Sequence, residues 1–258
     1  MATATHAPPA SPTLDSNSPA KPSLNAAVET YVAMFGPGGD HHPWRVRLED
    51  GKRFENFKEL AKARGARYVP ATLDSYHVTT EGQKSVVGRL RAFQREGIPN
   101  LHRGGGLLFY GPEGTGKDHL LFAMLRNAVI DWGYSAMWRD GMGLQDEIRE
   151  SIGEGSQSEF RRRLCEPQIL AISDPLPPRS GASDKDDLSA WNLQFLRDVI
   201  DRRYSALKST WFTFNGTSLD TLKAALLPPL TARIADCSTE ILCSWKSNRK
   251  PTRPGETT

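Results

Sequence analysis

From about Tyr76 onward, short apolar runs alternate with amphipathic stretches, and that alternation predicts the elements. Residues 107–110 form an uninterrupted apolar run after a glycine cluster, the form of a fully buried strand. Behind it Leu120, Leu121, Met124, Leu125, Ala128 and Val129 recur on one helical stripe, and Gly133 closes that helix. Residues 135–138 predict a second strand, and residues 144–165 a helical stretch broken around residues 153–155. Residues 169–172 predict a third, buried strand ending at Ser173-Asp174. Trp191, Phe195, Leu196, Val199 and Ile200 mark a long helix, followed by a strand over residues 210–214 that ends at Asn215. Thr217 with Asp220 has the form of a capping box for a helix through residue 227, and residues 240–245 predict a last strand. Strands alternating with helices in this way predict an α/β fold, a parallel sheet between helices, and no internal repeat is present.

The first part of the chain carries weaker patterns. Residues 1–23 are rich in Ala, Pro, Ser and Thr and nearly free of large apolar side chains. They cannot bury enough surface to offset ordering entropy, which predicts a disordered tail. Val28, Tyr31, Val32 and Phe35 predict a short amphipathic helix over residues 24–35, ended by the glycines of residues 36–39. Residues 44–54 contain Asp50-Gly51 between alternating segments, which predicts a small hairpin. Residues 57–64 predict a helix with Gly65 just past its end. The chain therefore divides into a tail (1–23), an N-terminal region that would serve as an adaptor for a partner (24–69), the α/β domain (70–250) and a basic tail (251–258).

Composition narrows the class only a little. The chain has 258 residues, 38% of them hydrophobic, and a formal net charge of +3, which permits nucleic-acid contact without demanding it. No run approaches the roughly 18 apolar residues of a membrane span. The first residues have neither a basic n-region nor an apolar h-region, so a cytoplasmic setting is expected. Cys165, Cys237 and Cys243 have no metal-ligand or redox spacing and read as reduced, mostly buried thiols.

The chemistry concentrates at Gly111-Pro112-Glu113-Gly114-Thr115-Gly116-Lys117-Asp118, between the first strand and the helix that follows it. This is a P-loop. Its backbone N–H groups turn toward the β- and γ-phosphates, and Lys117 brings a point charge to the same oxygens. Where the pattern calls for a Ser or Thr hydroxyl toward Mg²⁺, this chain has Asp118.

A P-loop NTPase also needs an acid at the end of a neighbouring strand. Residues 169–174 alone have that form. One register puts Ser173 at the Mg²⁺ position and Asp174 at the water-orienting position; a shift of one residue makes Asp174 the metal acid. Under the first register Asp118 and Ser173 have exchanged carboxylate and hydroxyl relative to the usual order. This exchange either preserves the total charge at the metal, as a compensated swap, or leaves a site that binds nucleotide and hydrolyses it poorly. Asn215 at its strand end would polarise the attacking water. Arg233, after a helical segment, would reach a neighbouring subunit's γ-phosphate, and Arg249 would contact phosphates within the same subunit.

The order of these parts resembles an AAA+ ATPase, specifically the DnaC and DnaI helicase-loader family with its transposition relative IstB. The resemblance covers residues 70 to 250. It is carried by Ala71-Thr72-Leu73-Asp74-Ser75-Tyr76, by Gly116-Lys117-Asp118-His119-Leu120, by residues 169–174, by Asp201-Arg202-Arg203-Tyr204, by Phe214-Asn215, by Ala232-Arg233-Ile234 and by Ser247-Asn248-Arg249. It implies that Lys117 is the Walker A lysine, Asp174 the Walker B acid, Asn215 sensor 1, Arg233 the arginine finger and Arg249 sensor 2. His119 follows the P-loop as it does in the family. The resemblance also implies ATP and Mg²⁺ as cofactors, a homo-oligomer joined through Arg233, and a replicative helicase or a transposase as partner. The helices between residues 144 and 165 would face single-stranded DNA, with Arg161-Arg162-Arg163 tracking phosphates. Lys246, Arg249, Lys250 and Arg253 form a second basic cluster. The family usually has two acids where this chain has Ser173-Asp174, and Thr or Asn where it has Asp118. The expected function is an ATPase that couples nucleotide state to single-stranded DNA or helicase binding in replication. The alternatives are an IstB-like transposition accessory ATPase and a nucleotide-dependent switch with little hydrolysis. Trp132, Trp138, Trp191, Trp211 and Trp245 are expected mainly in the core.

Overall fold

The computed structural model describes residues 50–175, 186–216, 218–220 and 228–247. The predicted tail, the helix over residues 24–35, most of the hairpin, Thr217 of the capping box, Arg249 and the basic tail lie outside the described residues.

Helix α1 spans Asp50–Arg64, so the hairpin centred on Asp50-Gly51 is not formed. Arg53, Asn56, Phe57, Leu60, Ala61 and Arg64 recur at helical spacing and form its inward stripe. Residues 57–64 form the helix that the sequence predicts, and the polar members Arg53 and Asn56 hid its first half from an apolar count. Its polar members have defined partners: the Asn56 amide both donates to Ala136 O and accepts from Ala136 N at 2.8 Å. Asn56 thereby occupies the free backbone edge of a sheet strand, the usual liability of an edge. Arg53 donates to Ile130 O, and Phe57 meets the Phe122 ring at 6.1 Å. Gly65, with φ 102, ends the helix before a 3-10 turn over Ala66–Tyr68.

Helix α2, Glu81–His102, was not singled out by the sequence pattern. Its start is nevertheless written in the chain: Thr80 and Gln83 form a reciprocal capping box. Gln83, Val86, Val87, Leu90, Phe93 and Leu101 form its buried face.

Five strands follow: β1 Gly106–Gly111, β2 Ala136–Asp140, β3 Ile169–Ser173, β4 Ser209–Asn215 and β5 Ser238–Leu242. All pairings are parallel, in the order β2-β3-β4-β1-β5. Between them lie α3 (Lys117–Ile130), α4 (Gly141–Gly153), α5 (Gln157–Cys165), α6 (Asp186–Ser205) and α7 (Pro228–Cys237). The expected α/β fold, a parallel sheet between helices, is the fold observed. The period of two divides each strand between two cores. Leu107, Phe109, Ile169, Ala171 and Trp211 pack with α1, α2 and α3 on one face. Leu108, Leu170, Ile172, Phe212 and Phe214 pack with α4, α5, α6 and α7 on the other. Trp132, Trp138 and Trp211 are buried as expected, whereas Trp245 lies beyond β5, which stops at Leu242. Among the described residues no helix is long and apolar enough to cross a membrane.

Among the described residues one charged side chain is wholly inside. Arg203 of α6 is 0% exposed and donates to the carbonyls of Leu164, Pro167, Gln168 and Ser209 and to Thr210 Oγ1. It ties the end of α5 and the approach to β3 to the start of β4. Burial pushes its pKa down to about 9.

Candidate functional site: the P-loop cleft

The carboxyl ends of β1, β3 and β4 converge, with Gly111 level with Asn215 and Ser173 level with Thr213. A cleft of about 560 Å³ opens over them. Its floor is Lys117, Asp118, Ser173, Asp174, Thr213 and Asn215, and its outer wall is Arg67, Tyr68, Ser75, Tyr76, His77 and His119, with Glu113, Gly114 and Gly116 at the loop. A crevice at strand carboxyl ends is where open α/β sheets bind ligands.

The loop that enters this cleft is held from outside. Gly116 has φ 89, and a Cβ there would stand 2.7 Å from the Tyr76 ring, so glycine is required twice over. Tyr76 Oη donates to Thr115 O at 2.7 Å and Trp245 Nε1 donates to the same oxygen at 2.8 Å. The Thr115 hydroxyl donates to Pro112 O at 2.9 Å. Helix α3 begins at Lys117, so its N-terminal amides and dipole face the cleft, as an anion site requires. Lys117 Nζ donates to Gly111 O at 2.9 Å and to Pro112 O at 2.7 Å. Its burial lowers its pKa, while the neighbouring Cys243 thiol is pushed up to about 12 by its own burial. His119 bonds to Thr72 O at 3.0 Å, lies 3.3 Å from Ser75 Oγ and meets the Tyr76 ring edge-on, which fastens the outer wall to α3.

Asp118 is the hub of the floor. Its Oδ1 accepts from Ser173 Oγ and from Thr213 Oγ1, both at 2.9 Å, and its Oδ2 accepts from Arg64 NH2 at 2.5 Å. Strand periodicity explains the convergence. Ser173 and Thr213 follow Ile169, Ala171 and Trp211 on the face turned to α3, at the last position, where the core ends and polar side chains begin.

Asp174, one residue further, points elsewhere. It has φ 50, a left-handed conformation that Asp tolerates better than most residues. Its Oδ2 accepts from Asn215 Nδ2 at 2.6 Å and its Oδ1 from Asn215 N at 3.3 Å. Its carbonyl approaches Gly141 so closely that a Cβ there would stand 1.9 Å away. Ser173 contacts Asp118, and Asp174 contacts Asn215.

The arginines are dispersed. Arg233 lies inside α7, where the sequence reading put it after a helix, and it pairs with Asp201 at 2.8 Å. It does not line the cleft. Arg161 pairs with Asp198 at 2.7 Å and covers the Phe195 ring, and Arg162 pairs with Glu159 at 2.7 Å and Glu166 at 3.7 Å. Arg161 is thus taken up in docking α5 to α6, whereas Arg162, within its intrahelical pairs, and Arg163 are exposed.

The floor suits hard cations. Asp118, Ser173 and Asp174 offer only oxygen, and a few carboxylates with phosphate oxygens are what Mg²⁺ takes in nucleotide sites. Among the described residues no group of three or more His, Cys, Asp or Glu gathers to hold an ion alone.

A P-loop after β1, with β4 inserted between β1 and the acid-bearing β3, is the strand order of an α/β P-loop NTPase fold. No protein-family model matches the chain, and no curated protein does. Solved structures do. A crystal structure of the DnaC helicase loader superposes with TM-score 0.60 and 25% identity, covering 69% of this chain and 99% of that one. DnaI superposes at TM-score 0.54 with 19% identity over 72% of this chain and 94% of that one. AMPPCP-bound DnaA from Aquifex aeolicus superposes at TM-score 0.52 with 19% identity over 67% of this chain. The chain spans about half the length of that DnaA structure, 50%. DnaI and DnaA are matched in fold alone, and the likeness to DnaC supports a DnaC-like AAA+ assignment.

Residues that the sequence reading missed are Arg64, Tyr68, Thr213, Gly141 and Trp245. Thr213 is level with Ser173 only through the pairing of β4 with β3, which local pattern does not give. Arg64 had no signal either, because its contact to Asp118 spans 54 residues.

Proposed function

We propose that this chain is an ATP-binding, DnaC-like AAA+ protein of DNA replication, coupling its nucleotide state to the grip on single-stranded DNA or a replicative helicase. The observation that carries the reading is the gathering of the P-loop, Asp118, Asp174 and Asn215 over one cleft at the strand ends. In this reading the amides of the loop and Lys117 cradle the β- and γ-phosphates. Asp118, Ser173 and Asp174 would hold a Mg²⁺, which would supply charge neutralisation at the transferred phosphoryl group. Asp174, oriented by Asn215, positions water in line with the γ-phosphate. Arg233, which pairs with Asp201 in its own chain, is offered to a neighbouring copy's nucleotide in a homo-oligomer. The likeness to DnaC, which covers 99% of that chain, supports the replication role.

A second reading has its own support. Both Asp174 oxygens accept from Asn215, and both Asp118 oxygens are engaged, one of them by a guanidinium. A nucleotide switch that turns over slowly fits such an occupied floor. ATP turnover with and without single-stranded DNA, paired with light scattering, separates the two. DNA-stimulated turnover in an oligomer supports the loader; tight ATP binding without turnover supports the switch. No ATP affinity, together with an unchanged Lys117→Ala variant, defeats both.

A further inference from the structure

Asp118 is assigned to Mg²⁺ above, whereas Arg64, its ion-pair partner, has no role yet in that P-loop chemistry. A carboxylate in the first turn of α3 faces the place where a P-loop holds phosphate, and like charges that close cost affinity. A hydroxyl there would carry no such cost. In this chain the carboxylate is not bare. Arg64 reaches it from the last turn of α1, and Tyr68 stacks beneath the guanidinium at 3.9 Å while accepting its NH2 at 2.7 Å. The Trp138 ring lies 5.3 Å away on β2. The Arg64 side chain is 23% exposed and that of Asp118 26%, so neither charge is well served by solvent. Asn56, Leu60 and Phe57 fix α1 against the sheet edge and α3. This is a preorganised cation rather than a surface arginine.

Resting on the nucleotide-binding reading, we infer that Arg64 is a nucleotide-site residue: the resident counter-charge of Asp118, which lets the cleft accept a di- or triphosphate without a divalent cation. The pair stands as a neutral unit where other P-loops place a hydroxyl. Nucleotide affinity in this protein therefore depends little on Mg²⁺. Removing the guanidinium leaves a bare carboxylate against the phosphates and makes affinity strongly dependent on Mg²⁺, which can bridge the two.

The test is calorimetric titration of the full chain with ADP, in excess EDTA and in excess Mg²⁺. Wild-type affinity is expected to differ by less than about threefold between the buffers, and Arg64→Gln to lose about 10- to 100-fold in EDTA and to regain most of it with Mg²⁺. In an Asp118→Thr background the same Arg64→Gln change is expected to cost less than about threefold, because no carboxylate is left to neutralise. Arg64→Lys, which keeps the charge and loses the planar stack, is expected to fall between wild type and Arg64→Gln and covers the case of a poorly folded Gln variant. Wild-type affinity that collapses in EDTA overturns the inference, as does an Arg64→Gln loss that is the same in both buffers or persists in the Asp118→Thr background. Wild-type protein that binds no ADP in either buffer overturns the nucleotide reading itself and this inference with it.

Discussion

Exchanging the side chains at positions 118 and 173 tests whether their contact is a coupled unit. In Ser173→Asp, a second carboxylate replaces a hydroxyl that donates to Asp118 Oδ1 at 2.9 Å, so two anions meet where a hydrogen bond stood. At about 4 Å between charge centres and an effective dielectric near 20, that repulsion is about 4 kcal/mol. Asp118 is 26% exposed and Arg64 offsets part of its charge, which reduces the expected loss to about 2 kcal/mol. Thr213, which donates to the same Oδ1, loses geometry as well. Asp118→Thr alone leaves Arg64 without its carboxylate and removes the acceptor of both hydroxyls. The double variant Asp118→Thr, Ser173→Asp restores a hydroxyl–carboxylate contact with the direction of donation reversed. Urea denaturation of the four proteins gives the coupling energy, expected at about 2 kcal/mol in favour of the double variant. ATP turnover on the same set gives the functional half: the double variant recovers activity that Ser173→Asp loses. A Ser173→Asp protein as stable as wild type, or a double variant no better than the sum of the singles, refutes the coupling.

Other consequences can be checked independently. Arg203→Met strands four carbonyls and a hydroxyl that the buried guanidinium now satisfies, and is expected to cost about 3–5 kcal/mol in urea denaturation; a loss under about 1 kcal/mol contradicts that role. Burial holds the Lys117 pKa below its ordinary 10.5, so a nucleotide that needs the ammonium must bring in a proton once pH passes the lowered value. Affinity for ADP is therefore expected to fall on the alkaline side before an ordinary lysine would titrate, and a flat profile up to 10.5 argues against the ammonium contact. Gly141→Ala drives a methyl into the Asp174 carbonyl and is expected to lower ATP turnover about tenfold or more while ADP affinity stays within about threefold; equal turnover would show that Asp174 need not sit where it does.

The strongly periodic part of the chain was legible from its residues. The P-loop strand, α3, the break between α4 and α5, β3 with Ser173-Asp174 at its end, α6 and β4 ending at Asn215 all form as the apolar pattern predicts. What failed is instructive because the competing signal is identifiable. Asp50-Gly51 is a strong local turn signal, yet residues 50–54 are helical, because tertiary partners on β2 and α3 reward a stripe that mixes Arg53, Asn56 and Arg64 with Phe57 and Leu60. In α2 the glycines and Pro99 diluted the apolar pattern, and the Thr80–Gln83 box was the surviving signal. Strand order and the Arg64–Asp118 contact depend on long-range closure, which local pattern does not encode.

Two duties of α1 meet in the same helix, and their proximity has a physical consequence. Asn56 completes the hydrogen bonding of the edge strand β2, while Arg64, just over two turns later, completes the charge balance at Asp118. Because Trp138 of β2 and Tyr68 both flank the guanidinium, displacing Arg64 from Asp118 disturbs the packing that seats α1 on the sheet. Under the proposed nucleotide binding, a change of charge at Asp118 would be felt at α1, and a pull on α1 would be felt at the bound phosphates. Linkage makes the two effects equal in free energy. Under the proposed function α1, packed into the same core as α3, is then part of the nucleotide site rather than a passive attachment to it.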